Sequence, residues 1–441
     1  MITQLKIENY KSIQELTLDV GRVNVLIGEN GCGKSNILEA ITLAAAAEAN
    51  KLDNEFLPSR GVRVTEPKLM RSAFDFKSNN DKPIIIEVFF KNKIEKIYKL
   101  ENDNKPYSKW RYNSSVNEEL NTLIKQREVM KMFTSEFEKI TSFNSSNSEI
   151  QFNKEEKESF KEAQEILKET DKTLDRFERK KRYLDAIFSR FIIFFPENSA
   201  LRNLAREGQV QPLGIYGEGL LKLLIVTQHE AKNSEQLNQE LERFNDIQRI
   251  LELIEWYEYI KIPNEYPLLE DKLIIKDRYL ESEFDTKSVN EGFLFLLFYA
   301  VLTVSKYTPK IFAIDNIDTS FNPKLCAKLI EELAHLAKKY DKQIFLTSHN
   351  PAILDGIDLG DEEGQRLFVV SRNREGHTRC KRITIENKPK SSIRDRLSRV
   401  LNENENYTKQ DVLALFDNSK EPVKLSEAFL RGYLGGLPKG F

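Results

Sequence analysis

Gly28-Glu29-Asn30-Gly31-Cys32-Gly33-Lys34-Ser35 spaces its glycines, lysine and hydroxyl as G-x4-G-K-S, a pattern that wraps phosphate oxygens. Phosphates need many donors close to the backbone, and glycines stand where a Cβ would block that approach. On this reading Asn30, Gly31, Cys32 and Gly33 form the cradle. Lys34 reaches the β- and γ-phosphates of ATP as a point charge, and the Ser35 hydroxyl holds Mg2+. Asn36 opens the segment NILEAI, which reads as a helix aiming its dipole and first amides at the same anion. A second group, Ile311-Phe312-Ala313-Ile314-Asp315-Asn316, is an apolar strand run ending in an acid, which predicts Asp315 as the Mg2+ partner of Ser35.

Strands and helices must deliver these groups to one place. Residues 1–27 alternate as strands through Leu5 and Ile7, then Leu16, Leu18 and Val20, then Val23 to Ile27. Residues 50–83 read as irregular, with Pro58, Gly61, Pro67 and Pro83, and Ile84–Phe90 and Ile94–Leu100 as a strand pair. From about 106 to 190 the chain turns charged and helical. Val116, Leu120, Leu123, Met130 and Phe137, then Phe160, Ala163, Leu167, Thr170, Leu174, Phe177 and Leu184, follow 3–4 spacing, broken at Arg127 and Lys181. With SFNSSNS (Ser142–Ser148) as the turn, the spacing predicts a helical hairpin with arms reaching roughly 45 Å at ~1.5 Å per residue. Ile192–Phe195 and Lys272–Lys276 read as strands, residues 234–260, Phe293–Ser305 and Lys324–Lys339 as helices, and Gln343–Leu346 as a strand leading into Thr347-Ser348-His349-Asn350-Pro351. Ser391–Asn402 and Thr408–Phe416 read as helices ahead of the tail LSEAFLRGYLGGLPKGF, either a packed element or a docking segment.

With 441 residues, 31% of them charged, and a net charge of −2, the chain is not a uniformly basic nucleic-acid coat, so any DNA contact comes from local patches. Cys32, Cys326 and Cys380 form no C-x-x-C pair, which argues against a disulfide framework or a zinc site. No apolar run reaches ~18 residues, so no membrane is expected and a cytoplasmic location is the default.

The opening LKIENYKSIQELTLDVGRVNVLIGENGCGKSNILEAI resembles the N-terminus of ABC-type ATPases related to RecF, SMC proteins and the OLD nucleases. Asn9-Tyr10-Lys11-Ser12 matches their N-[FY]-K-[SC] element, and LGIYGEGL (Leu213–Leu220) is similar to their G-x-x-G-x-x-L segment. The resemblance implies an α/β fold, an ABC-type P-loop ATPase head with a mixed sheet flanked by helices and an inserted helical hairpin. Its organisation would be a lobe with the phosphate loop (1–105), the helical insertion (106–190), a second lobe (191–390) and a helical appendage (391–441). It implies that Asn290-Glu291-Gly292 is the signature that caps the γ-phosphate held by an opposite protomer, with Asn290 where serine is the rule. It also implies that His349 is the switch histidine on the γ-phosphate, and that Asp318–Pro323 is the loop crossing the dimer interface. Hydrolysing relatives carry a glutamate base where this chain has Asn316. An amide positions water and cannot take its proton at neutral pH, so slow turnover is expected unless Asp318 or His349 takes part of the base role. No glutamine is assigned to the loop that senses Mg2+ in such ATPases.

The resemblance implies heads that close in pairs around ATP and Mg2+, as a homodimer or higher oligomer. OLD nucleases add a Toprim domain with clustered carboxylates, and residues 391–441 carry no such cluster. The chain therefore resembles the ATPase component of anti-phage systems such as Septu or PARIS, a sensor acting with a separately encoded effector, a nuclease being the expected one. A DNA-stimulated RecF-like repair or recombination ATPase is the alternative, and a scaffold that keeps ATP permanently is a third. The hairpin either touches DNA or a partner, or is a lid on its own head.

Overall fold

The computed structural model describes residues 1–72, 74, 82–91, 94–105, 108–116, 118–144, 154–203, 208, 210–233, 237–263, 272–361, 363–384, 424–431 and 434. The helices expected at Ser391–Asn402 and Thr408–Phe416, and residues 145–148 of the expected turn, lie outside them. The chain opens with β1 (Ile2–Tyr10), β2 (Ile13–Asp19), β3 (Val23–Ile27) and α1 (Lys34–Glu48). Two one-turn helices, α2 (Phe56–Ser59) and α3 (Pro67–Met70), sit in the stretch expected to be irregular. β4 (Ile84–Phe90), β5 (Glu95–Glu101) and β6 (Arg111–Val116) lead into the hairpin of α4 (Glu118–Asn144) and α5 (Lys154–Phe188). Then come β7 (Ile193–Phe194), α6 (Asn198–Arg202), α7 (Leu220–Asn233) and α8 (Leu237–Leu251). A small sheet of β8 (Tyr257–Lys261), β9 (Ile274–Asp277) and β10 (Phe284–Asp285) precedes α9 (Glu291–Val304) and β11 (Ile311–Ile314). α10 (Pro323–Lys339), β12 (Gln343–Ser348), a 3-10 helix over Pro351–Gly356, β13 (Gln365–Arg372), β14 (Thr378–Ile383) and α11 (Leu425–Leu430) complete the described elements.

The larger sheet runs β14-β13-β3-β12-β11-β7. β3 lies parallel between β12 and β13, β11 and β7 continue the parallel set, and β14 adds an antiparallel edge. Every residue of β3, β11 and β12 is buried, as strands covered on both faces must be. Alternation divides β3 between two cores. Val23, Val25 and Ile27 pack with α7, α9 and α10, while Leu26 packs with α1 and the antiparallel sheet β2-β1-β4-β5-β6. Register places Ile27 beside Ser348 and Val369, and Ile314 beside Leu346. The residues after these strands, Gly28 onward, Asp315 and His349, therefore emerge on one edge, where ligands of parallel α/β sheets bind.

Some elements differ from their sequence reading, and α4 runs on through residues 142–144 of the expected turn. β6 pairs with β5 along Arg111–Val116, so the antiparallel sheet extends past 105; its polar composition, RYNSSV, gives no alternation to read. The helix expected over 234–260 stops at Leu251 and the chain re-emerges as β8. Apolar Ile254, Trp256 and Tyr257 prolong the pattern, but Trp256 stacks near Phe293 in a turn. In the hairpin, Phe137 stacks on Phe160 at 4.3 Å, and Arg127, the break in the first arm's pattern, pairs with Asp171 of the second. At its root, Lys96 of β5 bonds Glu48 at the end of α1 at 2.9 Å and Asp185 of α5.

Lys342, just ahead of β12, is buried, and its ammonium donates to the Ser305 and Pro309 carbonyls and to both oxygens of Thr308 at 2.8–3.2 Å. Burial pulls its pKa down to about 7. These bonds fix the turn that launches β11. Lys342→Met orphans the carbonyls and is expected to destabilise the chain by about 2–3 kcal/mol, read by denaturant unfolding; unchanged stability would deny the turn that role.

Candidate nucleotide-binding site

The loop between β3 and α1 is held by its carbonyls. Lys34 Nζ donates to Gly28 O at 2.6 Å and Glu29 O at 2.9 Å, Arg372 Nε to Gly31 O at 2.8 Å, and Thr378 Oγ1 to Cys32 O at 3.0 Å. With these carbonyls engaged and no side-chain cap on α1, the loop and first-turn amides are what remains to meet an anion. Gly33 adopts φ 108°, and a Cβ there would stand 2.1 Å from Thr378 Oγ1. Gly31, at φ 77°, faces open space, the side a phosphate would approach. Asn36 turns away from the loop: its Nδ2 donates to Ser12 Oγ at 2.6 Å and its Oδ1 accepts from Arg63.

Asn9-Tyr10-Lys11-Ser12 braces this loop. Ser12 Oγ lies 2.7 Å from Thr378 Oγ1, the same hydroxyl that holds Cys32. Tyr10 OH donates to Glu39 Oε2 at 3.1 Å, and Lys11 and Arg63 both pair with that fully buried carboxylate of α1. Burial lowers the Lys11 pKa, with Glu39 opposing it, and raises that of Tyr10 far above its usual value. Asn9 ties the turn outward, donating to Lys82 O at 3.0 Å and accepting from Ser72 N.

Asp315, nearly buried, accepts from Ser35 Oγ at 2.9 Å through Oδ2 and from Thr347 Oγ1 through Oδ1. Hydroxyl and carboxylate together are an oxygen-only set suited to a hard divalent cation. Asn316 follows with φ 55°, its amide donating to Thr347 Oγ1 at 2.9 Å; asparagine tolerates that left-handed backbone better than most residues. Asp318 is buried, with Oδ1 unpartnered and Oδ2 3.6 Å from His349 Nδ1. Burial raises the Tyr299 hydroxyl's pKa and lifts the Cys326 thiol's to about 11, with the Asp318 charge adding to both. His349 itself is 56% exposed. Beside Asp315, whose amide donates to Phe194 O, β7 gives way to Glu197 and Asn198, and the Asn198 Oδ1 is buried without a partner. Among the described residues no glutamine bonds to Ser35 or Asp315.

The signature candidate stands elsewhere. Asn290 caps α9, its Oδ1 accepting from Phe293 N at 2.8 Å, which leaves its amide nitrogen as the donor. Asn290, Glu291 and Gly292 share a cleft of about 780 Å3 with Trp256, Ser320, Asn322 and Lys324. A Cβ on Gly292 would stand 3.1 Å from Ser320 O, so this helix start rests on the loop after Asn316. None of residues 28–36 lines the cleft. The structure thus gathers Ser35, Asp315 and Thr347 at the phosphate loop and sets the signature segment in a cleft that none of residues 28–36 lines.

The family described as "AAA domain, putative AbiEii toxin, Type IV TA system" matches residues 23–355, a span from the phosphate-loop strand past His349. The chain belongs to this family. Its fold is that of an SMC-type head: the head bound to the C-winged helix domain of ScpA superposes with a TM-score of 0.50 at 13% identity, over 87% of this chain and 98% of that one. The DNA replication and repair protein RecF of Staphylococcus epidermidis is 42% identical over 55 residues, 12% of this chain and 15% of RecF. Uncharacterized protein MJECL10 of Methanocaldococcus jannaschii is 31% identical over 114 residues, 24% of this chain and 50% of its own length. The chain thus covers only a minor part of that RecF and half of the archaeal protein. The matched family and the SMC-head fold agree with the order of the motifs along the chain. No helix among its described residues is long and apolar enough to cross a membrane.

Thr347, Thr378, Glu39 and Arg63 are the contributors that sequence reasoning missed. Thr347 lay inside the quoted TSHNP run, and Glu39 was legible as a lone acid in an apolar helix. Thr378 and Arg63 come from distant strands and loops and left no signal.

Proposed function

We propose that this chain is an ATP-gated head that closes against a second copy. Asn30–Asn36 of one protomer would hold the phosphates, and Asn290–Gly292 of the other would cap them. Support comes from the division of the site: the cleft that holds the signature segment is lined by none of the cradle residues of the same chain. Ser35 and Asp315 would hold Mg2+, which would neutralise phosphate charge when bound. His349, backed by Asp318, would contact the γ-phosphate side. Closure is favoured because ATP contacts both halves only when they meet. The expected result is a doubling of mass by light scattering with ATP and Mg2+, lost in Gly292→Glu, whose side chain would crowd Ser320 and repel phosphate. A wild-type chain that stays monomeric with bound ATP overturns the reading.

The closed head would act as a sensor or scaffold for a separately encoded effector in anti-phage defence, a nuclease being the expected one. The family's toxin–antitoxin description and the resemblance to Septu- and PARIS-like ATPases support this. Asn316 supports it too, since a clamp needs ATP bound more than spent. The local identity with RecF favours a second reading, a DNA-stimulated repair or recombination ATPase. Steady-state hydrolysis with and without DNA separates them: negligible turnover in both, with ATP recovered intact, fits the clamp, whereas brisk DNA-stimulated turnover fits the second.

A further inference from the structure

The first arm of the hairpin has two apolar faces and only one is covered. Met130, Thr134 and Phe137 of α4 turn toward α5, with Thr134 buried and Phe137 on Phe160. Val129 (59% exposed), Met132 (71%), Phe133 (46%) and Ile140 (41%) stand in water. At about 100° per residue, Val129, Phe133 and Ile140 fall within roughly 40° of one another, with Met132 on their flank; the centre of the group lies about a quarter-turn from the α5 side, and Phe133 at its near edge reaches the Phe137 ring at 6.5 Å. Among its described residues the second arm carries no such stripe, its exposed Ile166 and Tyr183 standing singly. Its outer face is Lys161, Glu165, Lys168, Glu169, Lys172 and Arg176, all exposed, a solvated face.

We propose that this stripe is a self-docking surface, on which α4 of a second copy of the chain packs antiparallel. The charges on the same face select that occupant and that direction. Exposed Lys125 lies one turn before Val129, and exposed Glu136 three residues after Phe133. An antiparallel pair centred between Val129 and Phe133 sets Val129 against Met132 and Phe133 of its mate. It brings Lys125 opposite Glu136 at both ends, as a two-fold contact requires. A parallel pair in register would instead oppose Lys125 to Lys125 and Glu136 to Glu136, which is unfavourable. Glu136 bonds Lys139 of its own helix at 2.7 Å, an exposed pair too weak to hold it from a cross-chain partner.

In this register Ile140 lies beyond the paired segment, so three side chains from each copy bury less than a standard interface, and the contact is weak alone, with a Kd on the order of 10 µM. It gains strength when each chain is held in a larger assembly, because the second contact then forms at high effective concentration. The docking is independent of nucleotide and of how the heads close.

Sedimentation of the full chain without nucleotide, from about 5 to 100 µM, tests this. Wild type is expected to dimerise across that range. Lys125→Glu or Glu136→Lys alone should weaken association at least ~10-fold, because each places like charges opposite at both ends, and the combined swap should restore it. Circular dichroism of the single variants checks that the hairpin stays helical. A wild-type monomer at 100 µM, a dimer indifferent to every swap, or a double variant that stays apart with its helices intact would each overturn the proposal and leave the stripe to another occupant.

Discussion

With Lys34 replaced by alanine, ATP affinity is expected to fall by at least ~100-fold, the loss of about two charge-assisted bonds to phosphate. The ammonium is placed for this role: it donates to Gly28 O and Glu29 O, at the start of the cradle. Removing it also frees two carbonyls that it holds, so the loop loses shape as well as charge. Calorimetric titration with ATP and Mg2+ reads the effect directly, and nucleotide-induced dimerisation should vanish with it. Unchanged affinity would remove the basis for an ATP-gated head.

Asn316→Glu is expected to raise ATP turnover about 10²-fold or more, within the range of general-base contributions. The substitution restores a carboxylate beside the Ser35–Asp315 pair, where the present side chain can only orient water. It carries a cost, since residue 316 sits at φ 55° and a glutamate there is strained by about 1 kcal/mol. Asn316→Asp, whose residue type also tolerates that backbone, is the companion variant. If neither carboxylate raises turnover while both variants fold and bind ATP, Asn316 is not what limits hydrolysis. If wild type already turns over briskly, Asp318 and His349 become the groups to remove.

What the sequence discloses is contiguous chemistry. G-x4-G-K-S, the acid after Ile311–Ile314 and the histidine after Gln343–Ser348 are each a strand followed at once by its functional residues, so the pattern and the place arrive together. The partners that shape them are not contiguous. Glu39 gathers Tyr10, Lys11 and Arg63 from two separate parts of the chain, and Thr378 supports Cys32 from a strand more than three hundred residues on. Periodicity failed where polarity or apolarity ran across a boundary, hiding β6 in a polar run and carrying α8 past its end. Arg127 looked like a fault in a heptad pattern because Asp171 belongs to the other arm.

Lys96 has a mechanical consequence. It joins the last turn of α1 to the root of α5, while the first turn of α1 is the floor of the phosphate cradle. Fifteen residues make α1 a strut of about 22 Å, and thirty-five make α5 a boom of about 52 Å. A tilt of roughly 5° imposed at the strut's far end swings the boom's free end by about 4–5 Å, given that length. A displacement too small to disturb the core at the phosphates thus becomes one as wide as a side chain at the far end of the hairpin.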